Sequence, residues 1–347
     1  MSIGSIVVAC KSILQIDLRE ISFIFLMENK IYLWVEKYRP EKLDEISAQT
    51  TVITSLKNAM QTKNIPHLIF FGPSGCGKTS TILALAKELF GKEYNERIIE
   101  LNASDERGIN VIRDKIKTYA KQSVKNIDNM PPWKIIILDE ADTMTPDSQF
   151  ALRRIIEQYS KITRFCIICN YHNKIIDPII SRCSLFRFKP IESNEIIKKL
   201  QYICTQENFN PSENILIKIV SICRGDLRKA INLLQKCYNS FGDKLNDELL
   251  DEISGVIPNN KFMNLMNAIQ SKNTILVDSI VNNLFLEGYS LVNQIMLFHN
   301  HIISMDIDSN IKSNILCKLA DIDQNLIKGC DEQIQFMRLV YHTMVTL

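Results

Sequence analysis

Residues 72–79, GPSGCGKT, combine three glycines with a lysine and two hydroxyl side chains. They follow the apolar run Leu68–Phe71 and precede the helical pattern Ser80–Phe90. This is the strand–loop–helix context in which G-x-x-x-x-G-K-T predicts a phosphate cradle, with backbone amides and a helix start directed at phosphate oxygens. Lys78 is then expected to reach the β- and γ-phosphates of a nucleotide, and the Thr79 hydroxyl to bind Mg²⁺. A glycine-rich turn without a ligand is the alternative, and the flanking strand and helix disfavour it.

A second apolar run, KIIILDE at 134–140, ends in two carboxylates. A strand here would deliver Asp139 to the magnesium side of the cradle, where it can hold a metal-bound water. Glu140, one residue further, is placed to polarise an attacking water. A lone strand ending in Asp-Glu indicates little, but downstream of a phosphate cradle it predicts hydrolysis of a nucleoside triphosphate.

Short apolar runs alternate with helical patterns from about Leu33 to Pro190, which predicts a parallel sheet covered by helices on both faces. Ligands of such sheets bind at the carboxyl ends of the strands, where both motifs lie. The predicted strands are Leu68–Phe71, Ile98–Asn102, Lys134–Asp139, Phe165–Cys169 and Leu185–Phe188.

Helical patterns alone follow Pro190. Gly225 is expected to close the second of them and Asp226 to cap the third. The three patterns are Ser193–Gln206, Ser212–Cys223 and Asp226–Tyr238, and a further all-helical segment starts near Pro258. The predicted domains are an α/β nucleotide domain at 34–190, a small helical domain at 191–255 and a helical bundle at 256–347.

The composition is that of an ordinary soluble globular protein. The 347 residues are 46% apolar and 23% charged, with a formal charge of +2. A global basic field is excluded, so any nucleic-acid contact must come from a local patch. Ten cysteines in a chain of this length do not indicate a disulfide scaffold. Cys166 and Cys169 fall on opposite faces of one predicted strand, which disfavours a zinc or redox pair and predicts reduced, buried thiols.

Residues 1–33 match neither a signal peptide nor a membrane span. The apolar run at 5–10 has no basic residue before it, and charged residues then interrupt the stretch. A second methionine, Met27, lies shortly before the motifs begin. We expect a disordered extension or a start site placed too early, and no membrane contact.

Taken together, these motifs resemble the AAA+ ATPases, and the flanking residues are similar to replication factor C small subunits from about Trp34 to the end of the chain. Residues 163–190 resemble subunit 4 of that complex most. The segments that carry the resemblance are WVEKYRP (34–40), LNASDERG (101–108), ICN (168–170), SRC (181–183) and GDLR (225–228). Ser74 and Cys76 depart from the Pro and Thr that are commoner in related loops, but the backbone cradle needs neither side chain.

The resemblance implies roles for the matching residues. Asn170 would be a first sensor that positions the lytic water, Arg228 a second sensor on a helical lid, and Arg182 an arginine finger that acts in trans on a neighbouring subunit's ATP. Singly, each has a plainer alternative: a strand cap for Asn170, a surface salt bridge for Arg182 and pairing with a carboxylate for Arg228. Their joint occurrence, in this order, favours the functional roles. The implied ATP-binding residues are Val35, Tyr38, Arg39, Pro40, Gly72, Pro73, Ser74, Gly75, Cys76, Gly77, Lys78, Thr79, Ser80, Asn170 and Arg228.

The helical pattern after Gly108 is the strongest candidate for a DNA surface. One face of it is apolar, and another carries Asn110, Arg113, Lys117 and Lys121 at helical spacing. Such a stripe can bind phosphates but cannot read bases, and a solvated helix face is an equal alternative. The pair Arg153 and Arg154 is a second candidate, with an intramolecular salt bridge or a subunit contact equally plausible.

The resemblance therefore implies an ATP- and Mg²⁺-dependent clamp-loader subunit in the nucleus. Its partners would be the large and small loader subunits, a sliding clamp of the proliferating cell nuclear antigen type, and primer–template DNA. The fold implied is a P-loop AAA+ domain with a parallel five-stranded sheet, followed by a helical lid and an all-α collar. A subunit that holds ATP without turnover and a different AAA+ DNA motor are the alternatives.

Overall fold

A computed structural model describes residues 33–46, 48–62, 64–103, 109–124 and 130–347, apart from the side chains of residues 109–113 and 243. The predicted extension at 1–33 lies, except for Leu33, outside the described residues. The chain divides after Pro190 into two compact units.

The first unit contains a five-stranded, fully parallel sheet in the order β2-β3-β4-β1-β5. This confirms the predicted fold class. The strands are β1 (His67–Phe71), β2 (Ile98–Asn102), β3 (Lys134–Asp139), β4 (Thr163–Cys169) and β5 (Cys183–Arg187).

The last strand begins two residues earlier than predicted and ends before Phe188. The reason is that Phe188 continues the apolar pattern beyond the strand: its side chain is buried against Phe70, with ring centroids 5.0 Å apart. Its backbone N–H still donates to Phe71 O at 2.8 Å. The apolar run therefore overestimates the C-terminal end of β5.

Helices cover both faces of the sheet. They are α1 (Trp34–Lys37), α2 (Thr50–Gln61), α3 (Lys78–Phe90), α4 (Tyr94–Arg97), α5 (Ile109–Lys121), α6 (Pro146–Tyr159) and α7 (Asp177–Ile180). Cys166 packs with Leu68 and Phe70 on one face, whereas Cys169 packs with Ile69 and other residues on the opposite face. Burial raises the pKa of the Cys169 thiol to about 12, so it stays protonated. Among the described residues no group of three or more His, Cys, Asp or Glu side chains could hold a metal ion.

The second unit is helical throughout its described length. Its helices are α8 (Ser193–Gln206), α9 (Glu213–Cys223), α10 (Leu227–Phe241), α11 (Asp247–Ser254), α12 (Asn259–Gln270), α13 (Thr274–Leu286), α14 (Leu291–Ser304), α15 (Ser309–Ile327) and α16 (Glu332–Thr346). Asp226 caps α10 as predicted, with its carboxylate accepting from Lys229 N at 3.0 Å. The left-handed residue that directly ends α9 is Arg224, with φ +49°, and Gly225 follows with φ +85°. Two consecutive residues therefore make the turn for which Gly225 alone was expected.

A buried glutamine joins α14 to the segment between α11 and α12. Gln294 is fully buried on α14, donates to Gly255 O at 2.8 Å and accepts from Ile257 N at 3.1 Å. Both backbone groups are thereby satisfied inside the helical unit. No helix among the described residues has the length and apolar character that a membrane crossing requires.

One histidine makes the stability of the first unit dependent on pH. His67 Nδ1 accepts from Phe165 N at 3.2 Å, and burial, with a smaller effect of Arg164, lowers the pKa of His67 from 6.5 to about 4. In the unfolded chain His67 takes up a proton near pH 6.5, whereas in the folded chain it does so only near pH 4. The contribution of His67 to the free energy of unfolding is therefore complete above pH 6.5 and is lost as the pH falls toward 4. The full loss corresponds to about 3 kcal/mol.

Thermal unfolding of the full chain at pH 7.5 and pH 5 tests this dependence. His67→Asn is the matched control, because its side-chain oxygen can take the place of Nδ1 but does not titrate. We expect a smaller decrease in melting temperature between the two pH values for the variant than for the natural chain. Equal decreases would contradict the assignment.

Candidate functional site

The phosphate loop connects β1 to α3. Gly72, Gly75 and Gly77 all have positive φ, of 148°, 66° and 93°. Helix α3 begins at Lys78 and not at Ser80 as predicted, because Gly77 turns the chain directly into its first turn. Lys78 and Thr79 are therefore both first-turn residues, and the backbone N–H groups of that turn have no helical acceptor of their own. The loop and helix start together form a concentration of N–H donors suited to an anion.

Gly72 also satisfies a packing constraint. A Cβ at this position would lie 2.3 Å from Phe188 O, so the loop runs directly against the backbone that follows β5. Gly72→Ala is expected to add strain of about 1–3 kcal/mol and to weaken ATP binding by roughly tenfold to a hundredfold. Titration with a fluorescent ATP analogue measures this loss.

Gly242→Ala supplies the control for Gly72→Ala. Gly242 also has positive φ (+52°), but no atom lies within 4 Å of the position that a Cβ would take there, and it belongs to the second unit. We expect this variant to bind ATP as the natural chain does. Unchanged affinity in Gly72→Ala would show that the loop accommodates the added methyl group.

Lys78 lies at the centre of the site. Its side chain is 8% exposed, and Nζ donates to Gly72 O at 2.7 Å, Pro73 O at 2.8 Å and Asn170 Oδ1 at 3.0 Å. The structure thus brings together the cradle lysine and the candidate sensor at the end of β4, which are 92 residues apart in the chain. A phosphate oxygen is a stronger acceptor for an ammonium group than a neutral carbonyl, because the bond is assisted by both charges.

Thr79 and Asp139 are also in direct contact. Thr79 Oγ1 donates to Asp139 Oδ2 at 2.7 Å, so a hydroxyl and a carboxylate oxygen converge beside Lys78. Oxygen ligands of this kind are those that Mg²⁺ prefers, and the pair fits the metal site expected from the sequence.

Glu140 follows Asp139 in an unusual conformation. Its φ is +53°, its side chain is exposed, and its backbone N–H donates to Asp139 Oδ1 at 2.8 Å. A non-glycine residue in this region of φ is uncommon and is often found at functional sites. The backbone of Glu140 is thereby tied to the same Asp139 carboxylate that accepts from Thr79.

The segment that directly follows Pro40, one of the implied ATP-binding residues, is joined to α3. Leu43 N donates to Glu88 Oε1 at 2.6 Å, and Lys87 Nζ lies 3.0 Å from Glu41 Oε1. Upstream of these contacts, Val35, Tyr38, Arg39 and Pro40 are half-buried.

Glu100 on β2 links this segment to the end of β3 electrostatically. Burial raises the pKa of Glu100, the Asp139 carboxylate raises it further, and the Arg39 guanidinium opposes the change. Arg39 and Asp139 therefore act in opposite directions on the pKa of the same β2 carboxyl group.

The candidate arginine finger, Arg182, and the candidate second sensor, Arg228, lie in different units. Arg182 precedes β5 and is tied to α6: its Nη2 lies 2.7 Å from Glu157 Oε1. Arg228 is exposed on the first turn of α10, in the second unit. The salt bridge named as the plainer alternative for Arg182 is therefore present, while its side chain is still 37% exposed.

The candidate DNA helix is α5. Ile116 and Ala120 are buried, as the apolar face predicts, and Lys117 and Lys121 are exposed. The side chains of Asn110 and Arg113, and residues 104–108, lie outside the described part of the chain. Of the second pair, Arg153 forms a salt bridge with Glu157 at 3.0 Å, whereas Arg154 is exposed.

Lys134 fixes the C-terminal end of α5. This residue at the start of β3 is 2% exposed, and its Nζ donates to Tyr119 O and to Gln122 O. Thr163 Oγ1, on β4, donates to Ala120 O at 3.1 Å. Burial lowers the pKa of Lys134 to about 8. The strands that carry Asp139 and Asn170 at one end thus hold the candidate DNA helix at the other.

Sequence reasoning missed Lys134, Glu157 and Gln149. Gln149 is buried on α6, donates to Lys174 O at 3.0 Å and accepts from Ile176 N at 2.9 Å. It fixes the segment that follows Asn170. The only available signal was a polar residue within a helical pattern, and a solvated position accounts for that equally well.

Comparisons with known proteins agree with this arrangement. Residues 68–191 match the family "ATPase family associated with various cellular activities (AAA)", residues 198–238 the "RCF1/5-like, AAA+ ATPase lid domain", and residues 257–342 the "Replication factor C C-terminal domain". Replication factor C subunit 2 of Saccharomyces cerevisiae is 43% identical to this chain, over 88% of this chain and 91% of the relative. The chain belongs to the replication factor C small-subunit family.

Other relatives extend this result. Replication factor C subunit 4 of Homo sapiens is 42% identical over 90% of this chain and 88% of its own length. The replication factor C small subunit of Archaeoglobus fulgidus is 42% identical over 89% of this chain and 96% of its own. Family membership and the AAA match identify the chain as an ATPase, with an AAA domain, a lid domain and a C-terminal helical domain.

A solved structure supports the fold alone. A single-residue variant of Thermotoga maritima RuvB superposes with a TM-score of 0.51 over 72% of this chain and 88% of its own, at 15% identity. At that identity the likeness does not extend to function.

Proposed function

We propose that this replication factor C family member uses ATP to load a ring-shaped sliding clamp onto primer–template DNA, as one subunit of a hetero-pentameric loader in the nucleus. The observation that carries the proposal is the convergence of Lys78, Thr79, Asp139 and Asn170, with Glu140 beside them. In a chain of the replication factor C family, these groups supply this chain's own share of a hydrolytic site, which a neighbouring subunit's arginine completes. A subunit that only held ATP would have no need of Glu140.

Each group at the site has a distinct task. The 72–77 backbone and Lys78 bind the phosphates, Tyr38, Arg39 and Pro40 line the adenine pocket, and Val35 also contributes to nucleotide binding. Thr79 would hold Mg²⁺ directly and Asp139 would hold it through a water, and the ion would supply positive charge that offsets the charge of the phosphates. Glu140 accepts a proton from the attacking water, and Asn170 orients that water.

Two arginines couple the site to its surroundings. Arg228, on the lid, senses the nucleotide, so that closure of the lid reports its presence. Arg182 acts in trans on the ATP of a neighbouring loader subunit, where a guanidinium meets the charge that develops in the transition state. A finger of this kind requires an adjacent chain, which supports an assembly of several subunits.

DNA is held through the phosphate backbone of the duplex. The basic stripe of α5 suits this contact, and Lys134 and Thr163 hold the C-terminal end of that helix. Replacing Arg113 and Lys117 with Ala is expected to weaken DNA binding equally for unrelated sequences and to reduce the slope of log K against log salt by about two. Lys92→Ala, which removes an exposed charge elsewhere, is the control. An unchanged salt slope in the double variant would exclude the stripe as a phosphate contact.

The proposal is tested by measuring ATP hydrolysis of the assembled loader with clamp, with primed DNA, with both and with neither. We expect clamp and DNA together to stimulate turnover beyond either alone. A different AAA+ DNA motor would not respond to the clamp. Turnover indifferent to both would refute the proposal.

A further inference from the structure

One carboxylate holds the candidate finger in place. Glu157 Oε1, near the end of α6, lies 2.7 Å from Arg182 Nη2 and 3.0 Å from Arg153 Nε. Arg182 Nη1 donates to Pro178 O at 2.7 Å and to Ser181 Oγ at 3.2 Å. The guanidinium is therefore bonded on one side to residues 178–181, which directly precede it, and on the other side to Glu157 of α6.

These contacts leave some of the N–H donors of Arg182 available for a further acceptor. A guanidinium has five N–H donors, and the acceptors around Arg182 in the described part of the chain engage three of them. The side chain remains 37% exposed. A contact that served to sequester Arg182 would instead bury it, so the geometry is that of a side chain fixed in position and presented to solvent.

We propose that Glu157 is a positioning residue for hydrolysis at the neighbouring subunit's ATP, because it holds Arg182 in the orientation in which it enters that site. This inference rests on the proposed function, in which Arg182 acts in trans. An arginine side chain loses considerable conformational entropy when it is fixed in one rotamer. Because the salt bridge with Glu157 forms within the chain, Arg182 is already ordered before the subunits assemble. A guanidinium that is oriented in advance lowers the activation barrier of hydrolysis at the neighbour's ATP.

The charges around Glu157 are consistent with this role. Arg153 and then Arg182 hold the pKa of the Glu157 carboxyl below its ordinary value, so the carboxylate is ionised at neutral pH. Shared between two guanidinium groups, it also offsets their mutual repulsion.

A double-mutant cycle in the assembled loader tests the inference. The background carries Glu140→Gln in this chain and the equivalent change in every other subunit except the neighbour that receives Arg182, so that only the neighbour's site turns over. In this background we compare Glu157→Ala, Arg182→Ala and the double variant. We expect Glu157→Ala to lower kcat by about 10- to 100-fold with KM changed less than about twofold.

Non-additivity identifies the route of the effect. If Glu157 acts through Arg182, adding Glu157→Ala to Arg182→Ala causes no further loss. Glu157→Gln, which keeps an acceptor oxygen, should retain part of the rate. Glu195→Ala removes a surface carboxylate of similar exposure, paired with Lys198 at 2.8 Å, and should leave kcat unchanged.

The possible failures are distinct. If Arg182→Ala lowers kcat but Glu157→Ala leaves it unchanged or raises it, the positioning role is wrong while the trans-acting arginine stands. Full additivity of the two changes also refutes the positioning role. If Arg182→Ala itself has no effect, the trans-acting arginine of the proposed function fails, and the role of Glu157 fails with it.

Discussion

Glu140→Gln is expected to reduce ATP hydrolysis at this chain's own site by about 10²- to 10⁴-fold, the usual contribution of a general base. The amide keeps the size of the side chain but cannot accept the proton of the attacking water. The Glu140 side chain is exposed, and its backbone N–H, which donates to Asp139 Oδ1, is unaffected by the substitution. ATP affinity should therefore change less than about twofold, a split that identifies a group used only in the transition state.

Single-turnover hydrolysis and binding of an ATP analogue, measured side by side, separate these two effects. Asp147→Asn, an exposed carboxylate on the first turn of α6, is the control and should retain the natural rate. A Glu140→Gln chain that hydrolyses ATP at the natural rate would remove Glu140 from the mechanism.

Arg182→Ala is expected to reduce the rate of ATP hydrolysis by a similar or greater factor, but at the neighbouring subunit's site. Arginine fingers supply about 10³- to 10⁵-fold in rate, and this loss should appear at the neighbouring subunit's site while ATP binding to this chain stays unchanged. Arg182→Lys keeps the charge but not the planar, five-donor group, so it should restore only part of the rate. Rates are measured in two loaders, one in which the neighbour's site alone is active and one in which this chain's site alone is active.

The location of the defect decides the interpretation. A loss confined to this chain's own site would mean that Arg182 acts in cis, and an intact rate at both sites would mean that its salt bridge with Glu157 is structural only. Gel filtration of each variant loader checks that the subunits remain assembled. A reduced rate then reflects a defect in hydrolysis and not dissociation of the loader.

The sheet and the phosphate loop could be predicted from the sequence because their signals are local. The Ile-rich run before Asp139 and the glycines at 72, 75 and 77 encode a strand and a loop within a few residues. The prediction was wrong where local signals overlap: Phe188 extends the apolar pattern of β5 although its backbone has left the strand. Likewise, Lys78 was assigned to the loop although the helix already begins at this residue.

The contacts that complete the site could not be predicted, because they join residues that are distant in the chain. Lys78 and Asn170 were each identified by their motifs, but only folding shows that Nζ and Oδ1 are 3.0 Å apart. Lys134 resembles an ordinary first residue of a strand, and nothing nearby indicates that it holds the end of α5. Glu157 is one acidic residue among many until Arg182 is placed beside it.

The most direct test of the account is clamp loading itself. The assembled loader, containing either the natural chain or its Lys78→Ala variant, is incubated with ATP, sliding clamp and singly primed circular DNA, and clamp that co-elutes with the circle is measured after gel filtration. We expect retained clamp with the natural chain and ATP, release of that clamp once the circle is cut, and little retained clamp with Lys78→Ala or without ATP. Equal retention with the natural and the variant chain would contradict a role for this ATP site in loading the clamp.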